Sequence, residues 1–141
     1  MKESDMLNAW LWDKHRTHTQ WRRIRLGVFP TKEFARMYSV LLRWADAIVI
    51  YDGFVNIIEA KLRPKPEPIA QLELYAKLFP QTPEFSQYKE WPIKNILLTS
   101  MVDLAIKELC DEKNIEYVVY TEDDVNNTRR RMMLPIIPSL S

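Results

Sequence analysis

The fold of this chain is decided by residues 45–61, which read ADAIVIY-DG-FVNIIEAK. Two runs rich in β-branched residues flank the dipeptide Asp52-Gly53, and this arrangement is a strong signal for a β-hairpin with a two-residue turn. The runs are almost wholly apolar and do not alternate, so both faces of each strand are expected to be covered. The sequence therefore predicts a central hairpin in a sheet that is flanked by helices.

The segments on either side of the hairpin carry helical and strand patterns in turn. Apolar side chains at three- and four-residue spacing predict a helix after a proline-spaced loop. The strand–helix–strand unit that follows is long enough for a crossover connection, so it predicts a parallel pair of strands. The predicted bounds are a helix at 31–38, a strand at 39–43, a loop at 63–68, a helix at 69–79, a strand at 93–99, a helix at 102–113 and a strand at 115–120. The fold class is predicted as α/β, a small sandwich around a mixed sheet.

The size and composition fit one domain, residues 1–141, with a Trp- and Arg-rich extension at 1–30 and an apolar, irregular tail at 132–141 that docks on the domain or on a partner. The longest apolar runs are too short and too interrupted by charge to span a bilayer. The first residues do not resemble a secretory signal, and a single cysteine allows no internal disulfide. A cytoplasmic protein is expected, or one of the virion and host cytoplasm if it is viral.

The net charge of +1 does not by itself indicate a nucleic-acid-binding protein. Basic residues are concentrated between 14 and 25 and at 129–131, and local patches of this kind can hold phosphates. The alternative is that these arginines are solvated or paired with the acids between 103 and 124. His15 and His18 have no third ligand nearby in sequence, so they are expected to face solvent and not to bind a metal.

A candidate reactive centre lies at the end of the predicted hairpin. Glu59 and Lys61 are two residues apart on one strand and leave the same face, and Asp46 comes from the neighbouring strand. Two carboxylates so close need a positive charge between them, which either Lys61 or a hard cation such as Mg²⁺ supplies. The alternative is a buried salt bridge in which Lys61 or Arg43 neutralises one acid. Arg43 is equally suited to contacting a phosphate.

The order of these residues resembles that of a known superfamily. Asp46, then Glu59-x-Lys61 across a hairpin, then a helix carrying Gln71-x-x-x-Tyr75, is similar to the PD-(D/E)xK restriction-endonuclease-like nucleases, and the last motif is similar to that of their RecB-type exonuclease branch. The resemblance extends from about 39 to 79 by motif and to 120 by order of elements. The chain departs from the pattern in having alanine before Asp46 where the name of the superfamily has proline.

The resemblance implies a restriction-endonuclease-like fold and a role for each matching residue. Asp46, Glu59 and the carbonyl of Ala60 would bind Mg²⁺ or Mn²⁺, and Lys61 would be the catalytic lysine. Gln71 and Tyr75 lie on one helical face and would line the site or touch the DNA backbone; a core tyrosine beside a polar boundary residue is the simpler explanation for that pair. Members of the superfamily often carry an acid on the first helix, and Glu33 is the residue assigned to it here.

Three functions are compatible with this sequence. The first is a Mg²⁺-dependent DNA nuclease, endo or exo, that hydrolyses phosphodiester bonds with water activated by the metal. The second is a structural or adaptor protein of a phage or mobile-element assembly that keeps the nuclease fold, for which the small size, the early tryptophans and the apolar tail argue. The third is a Holliday-junction resolvase acting as a homodimer, which the near-neutral charge disfavours.

Overall fold

The computed structural model describes residues 1–28 and 44–138 of the chain. These residues form four helices and five strands, with two short 3₁₀ segments, Phe79–Gln81 and Pro83–Tyr88, after the second helix. The helices are α1 (Glu3–His15), α2 (Glu67–Leu78), α3 (Leu104–Glu112) and α4 (Glu122–Arg131). The strands are β1 (Gln20–Arg25), β2 (Trp44–Tyr51), β3 (Phe54–Lys61), β4 (Ile93–Thr99) and β5 (Ile115–Val119).

The five strands form one mixed sheet in the order β1-β2-β3-β4-β5. The pairs β1–β2 and β2–β3 are antiparallel, and β3–β4 and β4–β5 are parallel. The predicted hairpin, the parallel crossover pair and the α/β sandwich of the restriction-endonuclease-like type are thus confirmed. At the hairpin turn, Asp52 and Gly53 have φ of +54° and +78°, which is the left-handed backbone that a two-residue turn of this kind requires.

Helices cover both faces of the sheet, as the apolar strands require. On one face, Ile48 and Ile57 belong to a core that includes Tyr75 of α2 and Cys110 of α3. On the other face, the core joins residues of α1 and α4 to the sheet, with Met6, Val49, Ile58, Leu98 and Val125 among its members. None of the helices in the described parts of the chain is long and apolar enough to cross a membrane.

Three elements were not predicted from the sequence: α1, β1 and α4. The segment 1–30 contributes α1, whose buried Met6, Leu7, Trp10 and Leu11 have helical spacing. Helix α4 begins at a capping box between Thr121 and Asp124 and buries only Val125 and Thr128, so its apolar signal is weak. The helix predicted at 31–38 and the strand predicted at 39–43 lie outside the described residues.

Side chains of α1 and α4 are joined by charge pairs. Arg131 contacts the Asp13 carboxylate at 2.8 Å, and Arg129 lies 3.9 Å from Asp5. The tail after α4 has no regular structure as far as residue 138, and it is held against that helix because Ile137 and the Asn126 side chain exchange two hydrogen bonds of 2.7 and 3.2 Å. Two of the C-terminal arginines are therefore paired with acids of the N-terminal helix.

The expectation that His15 faces solvent is wrong. Its side chain is buried between Trp10 and Tyr51, with ring centroids 4.9 and 5.1 Å away, and its Nδ1 lies 2.9 Å from Nδ1 of His18. Burial, with the positive charge of His18 in addition, lowers the pKa of His15 to about 4. The sequence showed only that no third metal ligand is nearby, whereas the packing of α1 on the hairpin encloses the ring.

Candidate active site

The candidate site lies where backbone pairing between β2 and β3 ends. The register of the hairpin runs from Tyr51–Phe54 to Ala47–Ile58. Beyond this pair, side-chain carboxylates replace backbone carbonyls as hydrogen-bond acceptors. The Ala60 N–H donates to Oδ2 of Asp46 at 2.8 Å, and the Asp46 N–H donates to Oε1 of Glu59 at 3.3 Å. Each carboxylate thus bonds to the backbone of the opposite strand, and both are held between the two strands.

Burial shapes the electrostatics of both acids. Burial is the largest effect on Asp46 and raises its pKa, while the Ala60 N–H and the positive charges of Lys61 and Arg22 partly offset it. Glu59 is 4% exposed, and burial together with the charge of Asp46 raises its pKa to about 8. Near neutral pH, Glu59 therefore keeps its proton unless a cation reaches the pair.

Lys61 and Ala60 complete the sequence motif on β3. Lys61 is half-buried, and its positive charge favours the ionised forms of Asp46 and Glu59. The two-residue period of a strand places Lys61 and Glu59 on the same face of β3. Because the N–H and C=O of one strand residue point toward the same neighbouring strand, the Ala60 carbonyl faces the gap that the Asp46 carboxylate occupies.

Two residues that the sequence reasoning missed belong to this site. Glu3, in the first turn of α1, has a negative charge that raises the pKa of both Asp46 and Glu59. Arg22 of β1 has a positive charge that lowers the pKa of Asp46. The helical spacing of apolar residues after Glu3 was the signal that could have identified α1 as the first helix. Glu3 is thus the acid of α1 whose charge affects both Asp46 and Glu59, whereas Glu33 lies outside the described residues.

An open cleft of about 230 Å³ leads to Asp46. Glu3, Leu7 and Ala60 line it on the α1 side of the sheet, and Arg22 and Arg23 line it from β1. Arg23 has a φ of +51° and lies between the paired residues Arg22–Ala47 and Ile24–Ala45, beside Asp46 on the neighbouring strand. This interruption of the regular strand lets both neighbouring arginines reach the rim of one cleft.

Gln71 and Tyr75 are placed on the opposite side of the sheet from this cleft. Tyr75 is 1% exposed and belongs to the core between α2 and the sheet, and Gln71 is half-buried one turn earlier. Neither residue lines the cleft that leads to Asp46, and neither do Glu59 and Lys61, which the two-residue period places on the same face of β3 as Ile57, in the core that includes Tyr75. The assignment of Gln71 and Tyr75 to the site stays a prediction. Arg43 lies outside the described residues, so its proposed contact with phosphate also stays a prediction.

The donor atoms at the end of the hairpin are all oxygens. Two carboxylates and one backbone carbonyl suit a hard divalent cation such as Mg²⁺, which commonly binds through one or two carboxylates, waters and substrate phosphate. Among residues 1–28 and 44–138, no three side chains of His, Cys, Asp or Glu cluster closely enough to bind a metal by themselves. The site thus fits Mg²⁺, whose preferred ligand set includes substrate, and does not fit an all-side-chain zinc centre.

Comparisons with known proteins reveal a likeness in fold. No protein-family model and no curated protein sequence matches the chain. The chain is similar to the crystal structure of a repair endonuclease from Pyrococcus abyssi, with a TM-score of 0.55 and 16% identity over 86% of this chain and 47% of that one. It is also similar to the structure of an EndoMS–dsDNA complex, with a TM-score of 0.53 and 12% identity over 86% of this chain and 46% of that one. The chain spans slightly less than half of each of these proteins, and it shares a fold with part of the repair endonuclease and part of EndoMS.

Proposed function

We propose that this chain is a divalent-metal-dependent DNA nuclease, with Asp46, Glu59 and Lys61 as its reactive residues. The observation that carries the proposal is the pair of carboxylates, buried Glu59 and half-buried Asp46, held between β2 and β3. A buried acid with a pKa of about 8 beside a second acid is a costly arrangement for a purely structural role. Strongly perturbed acids of this kind are concentrated at functional sites.

The ligands of the cation would be the carboxylates of Asp46 and Glu59 and the carbonyl of Ala60. A divalent cation bound there supplies Lewis-acid chemistry, because it lowers the pKa of water and stabilises negative charge on a phosphodiester. The fit rests on the oxygen donors and on the raised pKa of both acids, since a cation would relieve their mutual repulsion. Mn²⁺ accepts the same oxygen ligands and is expected to replace Mg²⁺.

The remaining side chains of the site would stabilise negative charge on the substrate and position its phosphates. The ammonium group of Lys61 lies close enough to both acids to favour their ionised forms. It is therefore placed to stabilise the negative charge that develops on a phosphodiester during attack. Arg22 and Arg23, at the rim of the cleft, can hold the flanking phosphates of the substrate strand.

The fold adds support for DNA as the substrate. The two similar structures are those of a repair endonuclease and of an EndoMS complex with double-stranded DNA. We extend this activity to the present chain because the carboxylate pair and the lysine lie at the end of its central hairpin. Fold alone would not suffice, since one fold hosts many functions.

The first test is nicking and linearisation of a supercoiled plasmid with Mg²⁺, Mn²⁺ or EDTA. The parent is expected to cleave with either metal and not with EDTA. Lys61→Ala is expected to lose about 10²-fold or more of the rate, which is typical for removal of one charge-stabilising group. The matched control is Lys107→Ala, which removes an exposed lysine of α3 that neither lines the cleft nor affects the pKa of Asp46 or Glu59. Equal rates for the two variants would contradict the assignment of Lys61.

A second test separates metal binding from chemistry. Asp46→Asn keeps the shape of the side chain and removes its charge, so it is expected to weaken Mn²⁺ binding measured by calorimetry. A folded parent that binds no metal and cleaves no DNA would instead favour the adaptor function.

One observation favours that second candidate: the tail after α4 exposes Met133, Leu134 and Ile136 at 92%, 41% and 50%.

A further inference from the structure

A second depression, called here the α1–α4 groove, lies beside the candidate active site. It has a volume of about 350 Å³ and is lined by residues of α1, the start of β1, the end of α4 and the tail. Its surface is mixed: Ala9, Leu11 and Leu134 supply apolar atoms, and three arginines supply positive charge. Such a surface suits a ligand that has both an apolar ring and a negative charge.

The groove adjoins the cleft that leads to Asp46. Arg22 lines both depressions, and α1 separates them, with Glu3, Ser4 and Leu7 on one side and Asn8 and Trp12 on the other. A polymer whose scissile phosphate lies near Asp46 can therefore continue into the groove past the Arg22 guanidinium.

The charge of the groove is positive and largely unpaired. The arginines that line it are Arg16, Arg22 and Arg129, against a single aspartate, Asp5, which lies 3.9 Å from Arg129. The Arg16 guanidinium donates to the carbonyls of Trp12 and Asp13 at 3.0 and 3.3 Å. Within the described parts of the chain, neither Arg16 nor Arg22 forms an ion pair within 4.0 Å. Neither charge is thus neutralised by an acid within 4.0 Å in these parts of the chain, although Arg22 also acts on Asp46.

The aromatic ring of Trp12 lies at the same place as these charges. The guanidinium carbon of Arg16 is 4.4 Å from the centre of the indole, and that of Arg131 is 5.1 Å away. Trp12 itself is half-buried and lines the groove. Aromatic rings and arginine planes together form the usual stacking surface for unpaired bases.

We propose that the α1–α4 groove binds an unpaired nucleotide of the substrate strand, next to the scissile phosphate. This inference rests on the proposed nuclease function and assigns part of its substrate. Duplex DNA presents mainly phosphates and sugars to a surface of this kind, and its bases stay stacked. A single strand uses more of this surface, because an unpaired base can stack on the layered Arg16–Trp12 pair while its phosphate meets the positive charge of the groove.

The test measures binding of a fluorescein-labelled single-stranded oligothymidine, and of a duplex of the same length, by fluorescence anisotropy in Mg²⁺. The background is Lys61→Ala, in which cleavage is expected to be slow. Addition of Arg16→Gln is expected to weaken single-strand binding about fivefold at about 0.1 M salt and to reduce the slope of log K against log salt by about 0.7, the loss of one phosphate contact. Duplex binding is expected to change less.

The matched control is Lys107→Gln in the same background, which removes one exposed positive charge from α3 on the far face of the sheet and should leave both affinities unchanged. Thermal unfolding checks that each variant is folded. The groove proposal is wrong if Arg16→Gln binds the single strand as tightly as the control does. It is also wrong if Arg16→Gln lowers the affinity for the single strand and for the duplex by the same factor.

The outcomes also separate this proposal from the proposed function. If the parent cleaves plasmid and Arg16→Gln binds the single strand as the control does, the groove proposal is rejected and the nuclease proposal stands. A parent that never cleaves, combined with selective loss of single-strand binding in Arg16→Gln, keeps the groove as a binding site and removes the nuclease.

Discussion

Two buried polar residues of β3, Asn56 and Glu59, are three positions apart and differ in their charge and in their hydrogen-bond partners. Asn56 is 3% exposed, and its side-chain N–H groups donate to the carbonyls of Val49, Tyr51 and Phe54 at 3.1, 3.3 and 3.3 Å. Glu59 is 4% exposed, carries an acid and has Asp46 and Glu3 as charged neighbours that raise its pKa. One end of the hairpin holds a neutral amide that bonds to the backbone, and the other end holds two neighbouring acids whose pKa values are raised.

Under the proposed function, one strand serves stability at one end and chemistry at the other. A neutral amide that bonds to the backbone beside the turn holds the hairpin together with no net charge to bury. A pair of neighbouring acids at the open end destabilises the protein, which is the cost expected of the cation-binding site that we propose. We therefore expect substitutions at Asn56 to affect folding and substitutions at Glu59 to affect cleavage.

The largest expected effect is on cleavage. Glu59→Gln is nearly isosteric but removes the charge that would bind the cation, so the rate of plasmid cleavage is expected to fall about 10²-fold or more. Asn56→Ala, assayed at a temperature where it is folded, is expected to cleave at the parental rate per folded molecule. Cleavage by Glu59→Gln at the rate of the parent would contradict the assignment of Glu59 to cleavage.

The next largest effect is on stability. Asn56→Ala leaves buried carbonyls without their donor, and the free energy of unfolding is expected to fall by about 1–3 kcal/mol. Urea denaturation followed by circular dichroism measures the change. The control is Asn127→Ala, which removes an exposed amide that bonds only to Arg130 among the described residues and should stay within about 0.5 kcal/mol of the parent.

The pH dependence of stability sharpens the comparison. In EDTA, the folded pKa of Glu59 is about 8 against an ordinary value of 4.5, so between these values the unfolded chain releases a proton that the folded chain retains. Stability is therefore lost as the pH rises from about 4.5 to 8. Glu59→Gln removes this loss, so its stability relative to the parent is expected to rise by several kcal/mol between pH 4.5 and 8, since each pKa unit corresponds to about 1.4 kcal/mol.

Two controls belong to that measurement. Added Mg²⁺ is expected to stabilise the parent and not Glu59→Gln, because only the parent keeps both carboxylates. His15, with its pKa lowered to about 4, gives the opposite trend, since its contribution to stability is lost as the pH falls below about 6.5. Denaturation curves in EDTA that show the same pH dependence for parent and Glu59→Gln would contradict the pKa assigned to Glu59.

The smallest expected effect comes from Glu3. Its charge raises the pKa of both site acids, so Glu3→Gln is expected to move the pH dependence of unfolding slightly toward acid. Glu3 is exposed, and solvent screens its charge, so the shift should be only a few tenths of a pH unit. High salt should abolish the difference between parent and variant, and a shift that survives high salt would mean that Glu3 acts through structure.

The central half of the fold could be predicted because its signals are local. The Asp52-Gly53 turn, the β-branched runs and the helical spacing before Phe79 each depend on a few neighbouring residues. Strand β4 begins and ends where the sequence predicted, at Ile93 and Thr99. The motif spacing was also local, and it placed Asp46 and Glu59 on adjacent strands.

The rest depended on contacts between distant parts of the chain. Asp13 meets Arg131 across 118 positions, and Glu3 reaches the acids of the hairpin only because α1 packs on the sheet. His15 was expected in solvent and is buried by the same packing. None of these contacts has a signature in the residues that flank it.

The sequence by itself determined the hairpin, the order of the elements after it and the candidate residues Asp46, Glu59 and Lys61, because turn chemistry and periodicity are encoded within short segments. Only the tertiary structure decided the environment of those residues: the burial that raises the pKa of Glu59, the approach of Glu3 and Arg22, and the groove beside α1. The physical reason is that pKa and surface charge depend on desolvation and on neighbours in space, and the folded chain brings those neighbours from segments far apart in sequence.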